Sequence, residues 1–203
     1  MTTSAKSTHP DFFFLGNQLV LDFLNTRPVL KDQAVDLLTD FGDLLRWFVK
    51  AGPLNPAQAS FLRKRWTGTQ EAERTLRSFR NLRETLRQDL LAWEGGGRIR
   101  PLTVRMLDEL LKRHPMKIRL RTKGNGFSSN LWFDAQTPQD LFAPLAHDVA
   151  QLLTSADRRR VRRCEACVLH FRDTSKKGTR RWCSMQICGN RSKVAEYARR
   201  HRR

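Results

Sequence analysis

The sequence has little cysteine and no long apolar run. Its four cysteines all fall between positions 164 and 188 of the 203 residues. No stretch approaches the roughly 18 apolar residues of a membrane span, and Phe12-Phe13-Phe14-Leu15 is too short for the core of a signal peptide. A cytoplasmic protein without a membrane partner is therefore expected. In that reducing compartment, cysteines this crowded suit a metal better than disulfides. A glycine-rich phosphate loop is also missing, because Gly95-Gly96-Gly97 follows a helical pattern instead of a strand. The aspartates and histidines of the first 157 residues form no recognisable acid–base pair or metal spacing. His114 precedes a proline and His147 lies in a helical stretch, so both read as surface or satisfied histidines, which argues against an enzyme.

Acids are scarce as well: 20 Asp and Glu face 38 Lys and Arg, for a net charge of +18. Residues 158–203 alone carry 16 basic side chains against Glu165, Asp173 and Glu196. A dense patch of one sign repels itself unless a polyanion answers it, which points to nucleic acid ahead of an anionic membrane. A basic tail kept for solubility is the plainer alternative. Apolar residues make up 39% of the chain and include 12 Phe and 5 Trp, enough for a real core. The length suits one ordinary domain plus a small appended module.

Helical periodicity dominates the first part. Leu19, Val20, Phe23 and Leu24 mark a helix over Gly16 to Thr26, with Asp22 and Asn25 on its other side. A second runs from about Asp40 to Ala51 and stops at Gly52-Pro53. Asn55-Pro56 caps a third that should carry Phe61, Leu62 and Trp66. The longest, about Glu71 to Trp93, carries Leu76, Phe79, Leu82, Leu86, Leu90 and Trp93 at spacings of three or four. Thr103 is expected to cap a short helix ended by Pro115. The period then becomes two: Ile118 and Leu120, a Gly124-Asn125-Gly126 turn, and Leu131 and Phe133 predict one hairpin. Thr137-Pro138 with Asp140 opens a further helix carrying Leu141, Leu145, Val149, Leu152 and Leu153. A domain boundary is expected near Asp157, where the charge changes.

Beyond it, Cys164-x2-Cys167 and Cys183-x4-Cys188 form two pairs separated by 15 residues. Zinc takes four thiolates in a tetrahedron, and a knuckle turn plus a helix start can deliver them. The wider second spacing predicts a small loop or helical turn over Ser184 to Ile187. Four thiolates leave no open position for water, so one Zn2+ is expected in a structural role; His170 could replace one ligand, but with four thiols at hand it is expected to be a neighbour. Arg162, Arg163, Arg180 and Arg181 flank the ligands and can offset the formal charge of the thiolate set. After Gly189 a last helix is expected. Val194, Tyr197, Ala198 and His201 share one face, while Lys193, Arg199, Arg200 and Arg203 point elsewhere.

These residues carry a resemblance. Cys164-Glu-Ala-Cys167, Phe171-Arg-Asp-Thr-Ser175, Arg180-Arg-Trp-Cys183-Ser-Met185 and Cys188-Gly-Asn-Arg191 resemble the CGNR zinc finger. Leu21-Asp-Phe-Leu-Asn-Thr26 and Asp43-Leu-Leu-Arg-Trp47 with Ala51-Gly52 resemble the helical ABATE domain that precedes this finger in bacterial proteins. The resemblance implies a bacterial transcription regulator with the four cysteines as zinc ligands and the finger as its DNA-binding part.

The expected fold is thus mainly α with a small β-hairpin (α+β). A helical amino-terminal domain spans 1–157, with its hairpin near 116–134, and a small treble-clef-like four-cysteine finger spans 158–203. The expected function is zinc-dependent DNA binding through Arg180, Arg181, Asn190, Arg191, Lys193, Arg199 and Arg200, which would place the protein on the nucleoid. Asn190 either reads an adenine edge or caps the last helix. The helical domain would dimerise or sense a small molecule. RNA or ribosome binding is the second reading, since electrostatics alone does not separate RNA from DNA, and a protein-interaction module is the third.

Overall fold

A computed structural model describes residues 11–30 and 32–201. The expected position of Arg203 on the last helix lies outside these residues. The chain begins with α1 (Leu19–Leu24), a two-residue β-ladder of β1 (Val29–Leu30) with β2 (Gln33–Ala34), then α2 (Phe41–Ala51), α3 (Pro56–Trp66), α4 (Gln70–Glu94) and α5 (Pro101–Arg113). The antiparallel hairpin β3 (Lys117–Lys123) and β4 (Gly126–Trp132) follows, a 3-10 turn at Pro138–Leu141 leads into α6 (Phe142–Ser155), and another at Arg158–Arg160 comes after it. A small antiparallel pair, β5 (Val161–Arg163) with β6 (His170–Arg172), a π-type turn at Met185–Gly189 and α7 (Asn190–Arg200) complete it.

Local chemistry sets most helix ends. Asp40 accepts the Asp43 amide at 2.8 Å at the start of α2, and Gly52 ends that helix with φ of 99°, a left-handed conformation that suits glycine. Asn55 and Gln58 exchange side-chain and backbone bonds as a capping box ahead of α3. Thr69 caps α4, and Glu71 and Glu73 sit favourably in its positive first turn.

α4 is the spine. Its buried stripe of Leu76, Phe79, Leu82, Leu86 and Leu90 meets Phe23 of α1, Trp47 and Phe48 of α2, and Phe142 and Val149 of α6. Phe79 stacks on Phe142 with ring centroids 4.0 Å apart, and Phe23 and Phe48 approach Phe79 edge-on at 5.9 and 5.7 Å. Each such aromatic pair adds about 0.5–1.5 kcal/mol beyond the area it buries. Arg83 is also inside α4 and only 1% exposed; it donates to Thr26 Oγ1 and to both Asp36 oxygens. A buried cation is tolerable only with such a full partner set.

Several sequence expectations are corrected. α1 is shorter than Gly16 to Thr26 because residues 16–18 run along β6: the Arg172 amide donates to the Gly16 carbonyl at 2.7 Å. A Cβ on Gly16 would lie 2.8 Å from the Asp22 amide nitrogen, so glycine is required there. The Asp22–Asn25 side of α1 does not face water, since Asn25 is fully buried. Thr103 is buried within α5 and does not cap it; Pro101 starts that helix from Arg100. Of the apolar residues that α3 carries, Leu62 is buried while Phe61 is 41% exposed. α7 buries none of its residues, so Val194 and Tyr197 lie on a free surface.

No helix among the described residues is long and apolar enough to cross a membrane.

Candidate metal centre

The finger is built from backbone outward. The Cys164 amide donates to the Leu169 carbonyl at 2.8 Å, closing the knuckle between β5 and β6 and presenting Cys164 and Cys167 on one side. Ser184 accepts the Ile187 amide and starts the π-type turn, which carries Cys188 back toward Cys183. This is the helical turn expected between the second pair of cysteines. A Cβ on Gly189 would collide with the Met185 sulfur, so that side chain would have to swing away.

The four sulfurs lie within 4.8 Å of one another. Cys167 and Cys183 are 3.7 Å apart and Cys183 and Cys188 3.6 Å. Sulfurs held about 2.3 Å from a central zinc sit roughly 3.8 Å apart in a tetrahedron, so the cluster fits one ion in a closed site. His170 stands outside the ligand set: it is buried in β6, neutral, and burial pushes its imidazole down to about 3. The Cys183 thiol donates to Cys167 and holds it down at about 5, while that bond and burial push Cys183 well up. Burial pushes Cys188 up to about 11. Zinc replaces the remaining protons, so binding releases them and weakens in acid.

The flanking arginines divide into two sets. Arg160 donates to the carbonyls of Asp173 and Ser175, and Arg162 to those of Arg159, Gly178 and Arg180. Arg180 lies over the Phe171 ring with its centre 4.6 Å from the centroid and donates to the Trp182 and Cys183 carbonyls. Arg191 reaches the Ala166 carbonyl at 2.9 Å and the Cys188 sulfur at 3.7 Å. These cations tie the loops that carry the ligands, and Arg191 supplies the N–H···S contact that offsets thiolate charge. Asp173 completes this frame. Burial acts to raise its carboxyl, but bonds from Ser175 and the Arg180 amide outweigh it and hold the group below the usual range.

The second set faces outward. Arg181 pairs with Glu165 and lies against Trp182, and Arg200 pairs with Glu196. Among the described residues, no carboxylate partner meets Arg158, Lys176, Lys177, Lys193 or Arg199. Asn190 is exposed at the start of α7, where no side chain caps the helix. A concavity lined by Arg181, Trp182, Lys193 and Arg199 runs along α7. Another, lined by Arg158, Arg159, Arg162, Arg163 and Arg181, crosses the face of β5.

The finger is docked on the helical body. Asn25 of α1 donates to the His170 carbonyl at 2.9 Å and accepts the His170 amide at 2.8 Å, both bonds buried. Glu94 at the end of α4 accepts the Arg163 amide, and Val161 belongs to the main core. Sequence reasoning missed Asn25, Arg191 and Asp173 as structural supports. The only signal for Arg191 was its position three residues after Cys188, one helical turn away.

Residues 160–201 match the CGNR zinc finger family, so the four cysteines hold one structural zinc. Residues 17–156 match the ABATE family, described as "Putative stress-induced transcription regulator". No curated protein matches the chain. With most of its length covered by the first match and most of the remainder by the second, the chain belongs to the ABATE family and ends in a CGNR zinc finger.

Proposed function

We propose that the protein is a transcription regulator whose zinc-ordered finger grips duplex DNA. The observation that carries this reading is the outward set of cations on a metal-braced frame. The finger's acids are consumed locally, Glu165 by Arg181, Glu196 by Arg200 and Asp173 by backbone amides, which leaves Arg158, Lys176, Lys177, Lys193 and Arg199 to meet phosphates. Arg181, Asn190 and Arg200 are exposed as well and join the contact in this reading. Arg180 and Arg191 contribute by holding the zinc loops. The description of the amino-terminal family as a transcription regulator supports the same reading.

Single substitutions separate the two sets of cations. Lys193→Gln or Arg199→Gln should weaken duplex binding evenly across sequences and reduce the salt slope by about 0.9 each, with zinc retained. Arg191→Gln should instead speed zinc release to a chromogenic chelator. Competition between duplex DNA and structured RNA decides the polyanion: preference for RNA at matched salt would overturn the DNA assignment. The cytoplasmic, nucleoid-associated location and signal sensing by the helical body belong to this proposal, and recovery of cross-linked genomic fragments tests them.

A further inference from the structure

The hairpin has two unlike faces. In its register Ile118 sits opposite Leu131, Leu120 opposite Ser129 and Thr122 opposite Phe127, so these six side chains share one face. Lys117, Arg119, Arg121 and Lys123 occupy the other, where Arg119 and Lys117 lie over the Trp132 ring at 4.2 and 5.1 Å. Ile118, Leu120, Phe127 and Leu131 are 75%, 68%, 74% and 47% exposed, and none joins either hydrophobic cluster. Alternation of apolar and polar residues normally means that one face of a strand is covered. Here no part of the described chain covers it. A two-stranded ribbon is marginal in water unless a further strand, sheet or helix packs on it.

We infer that this face is the homodimer interface, with the ribbon of a second copy stacked on it. At roughly 150 Å2 per large side chain, scaled by these exposures, the four apolar residues offer about 400 Å2 per copy. With Thr122, Ser129 and the turn at the rim, a pair of ribbons buries about 1,000 Å2 in total, the threshold for a specific contact and the range of a reversible dimer. The face carries no charge, so the large positive charge of the chain does not oppose its self-association there. The basic faces point outward on opposite sides of the stack, at separations where salt screens them.

A two-fold axis across the strands keeps the two bodies apart. The base of the ribbon is anchored, since Phe133 just beyond β4 is 4% exposed in the core, while the Gly124-Asn125 tip is free. A two-fold axis across the strands places the two bodies at opposite ends of a ribbon about 24 Å long. Phe127 near each tip then covers Ile118 and Leu131 at the partner's base, and Leu120 lies close to the axis.

Sedimentation velocity on the full-length, zinc-loaded protein over about 1–100 µM tests this. The expected result is a monomer–dimer equilibrium within that range. Leu120→Thr and Phe127→Thr should each raise the dimer Kd at least about tenfold, while leaving circular dichroism and the monomer's melting unchanged. Arg121→Ser on the opposite face should leave the equilibrium where it is. A monomer at every concentration would overturn the inference, as would a dimer indifferent to both threonine substitutions. A monomer that instead sediments with anionic vesicles, and loses that property in Phe127→Thr, would also overturn it.

Discussion

Replacing Asn25 by alanine should loosen the finger from the helical body and speed the loss of zinc. The two bonds between Asn25 and the His170 peptide measure 2.9 and 2.8 Å, and both ends are buried. Alanine leaves an N–H and a carbonyl without their protein partners. A stripped buried group costs about 1–3 kcal/mol, so the pair amounts to about 2–6 kcal/mol. Asn25→Asp should be at least as damaging at neutral pH, because it keeps the acceptor, removes the donor and buries a charge against the His170 carbonyl. That defect should ease in acid as the carboxyl protonates. The assay is urea unfolding followed by far-ultraviolet circular dichroism, with zinc release to a chromogenic chelator measured in parallel. A change in stability below about 0.5 kcal/mol, with unchanged zinc release, would show that this contact does not couple the two units.

Cys183→Ser or Cys188→Ser should release the zinc and unfold the finger while most of the helical circular dichroism survives; loss of both together would show that the units share one cooperative core. Calorimetric titration of zinc in buffers of different ionisation enthalpy should reveal proton release, with affinity falling as pH drops below neutrality; a pH-independent affinity would contradict thiolate ligation. Asp22 is pushed up to about 6, first by burial, while bonds from Gly16 and Leu15 pull it down and the nearby Asp148 charge adds to the rise. The folded state therefore binds the proton more tightly than the unfolded chain, and stability should fall as pH rises from about 4 to 6, by about 1–3 kcal/mol. Asp22→Asn should flatten that slope relative to wild type in thermal melts, and an unchanged slope would count against the assignment.

The parts legible in the sequence were those governed by local chemistry. The Asn55-Pro56 cap, the Gly52 stop, the stripe from Leu76 to Leu90 and the hairpin turn all depend on residues within one or two turns of each other. The four cysteines were legible because ligand spacing is itself a local constraint, and the turn after Ser184 followed from it. What escaped depends on contacts distant in sequence. Asn25 looked like the polar side of a helix, yet its partner is 145 residues away. Asp148 accepts the Val20 amide and so supports the start of α1 from α6, a role that no helical pattern encodes. Arginine was the hardest residue to place. The same side chain type braces carbonyls at Arg160, Arg162 and Arg180 and faces solvent at Arg199, and composition treats them alike. The two-residue ladder of β1 with β2 was too short to leave a periodic signal.

The central claim, that a zinc-ordered finger presents unpaired cations to DNA, is tested most directly by titrating a labelled duplex with zinc-loaded, full-length protein across a series of salt concentrations. Neutralising about five phosphates predicts a log–log slope of roughly −4 to −5. A slope near zero, or the same slope after chelation has removed the zinc, would contradict the account.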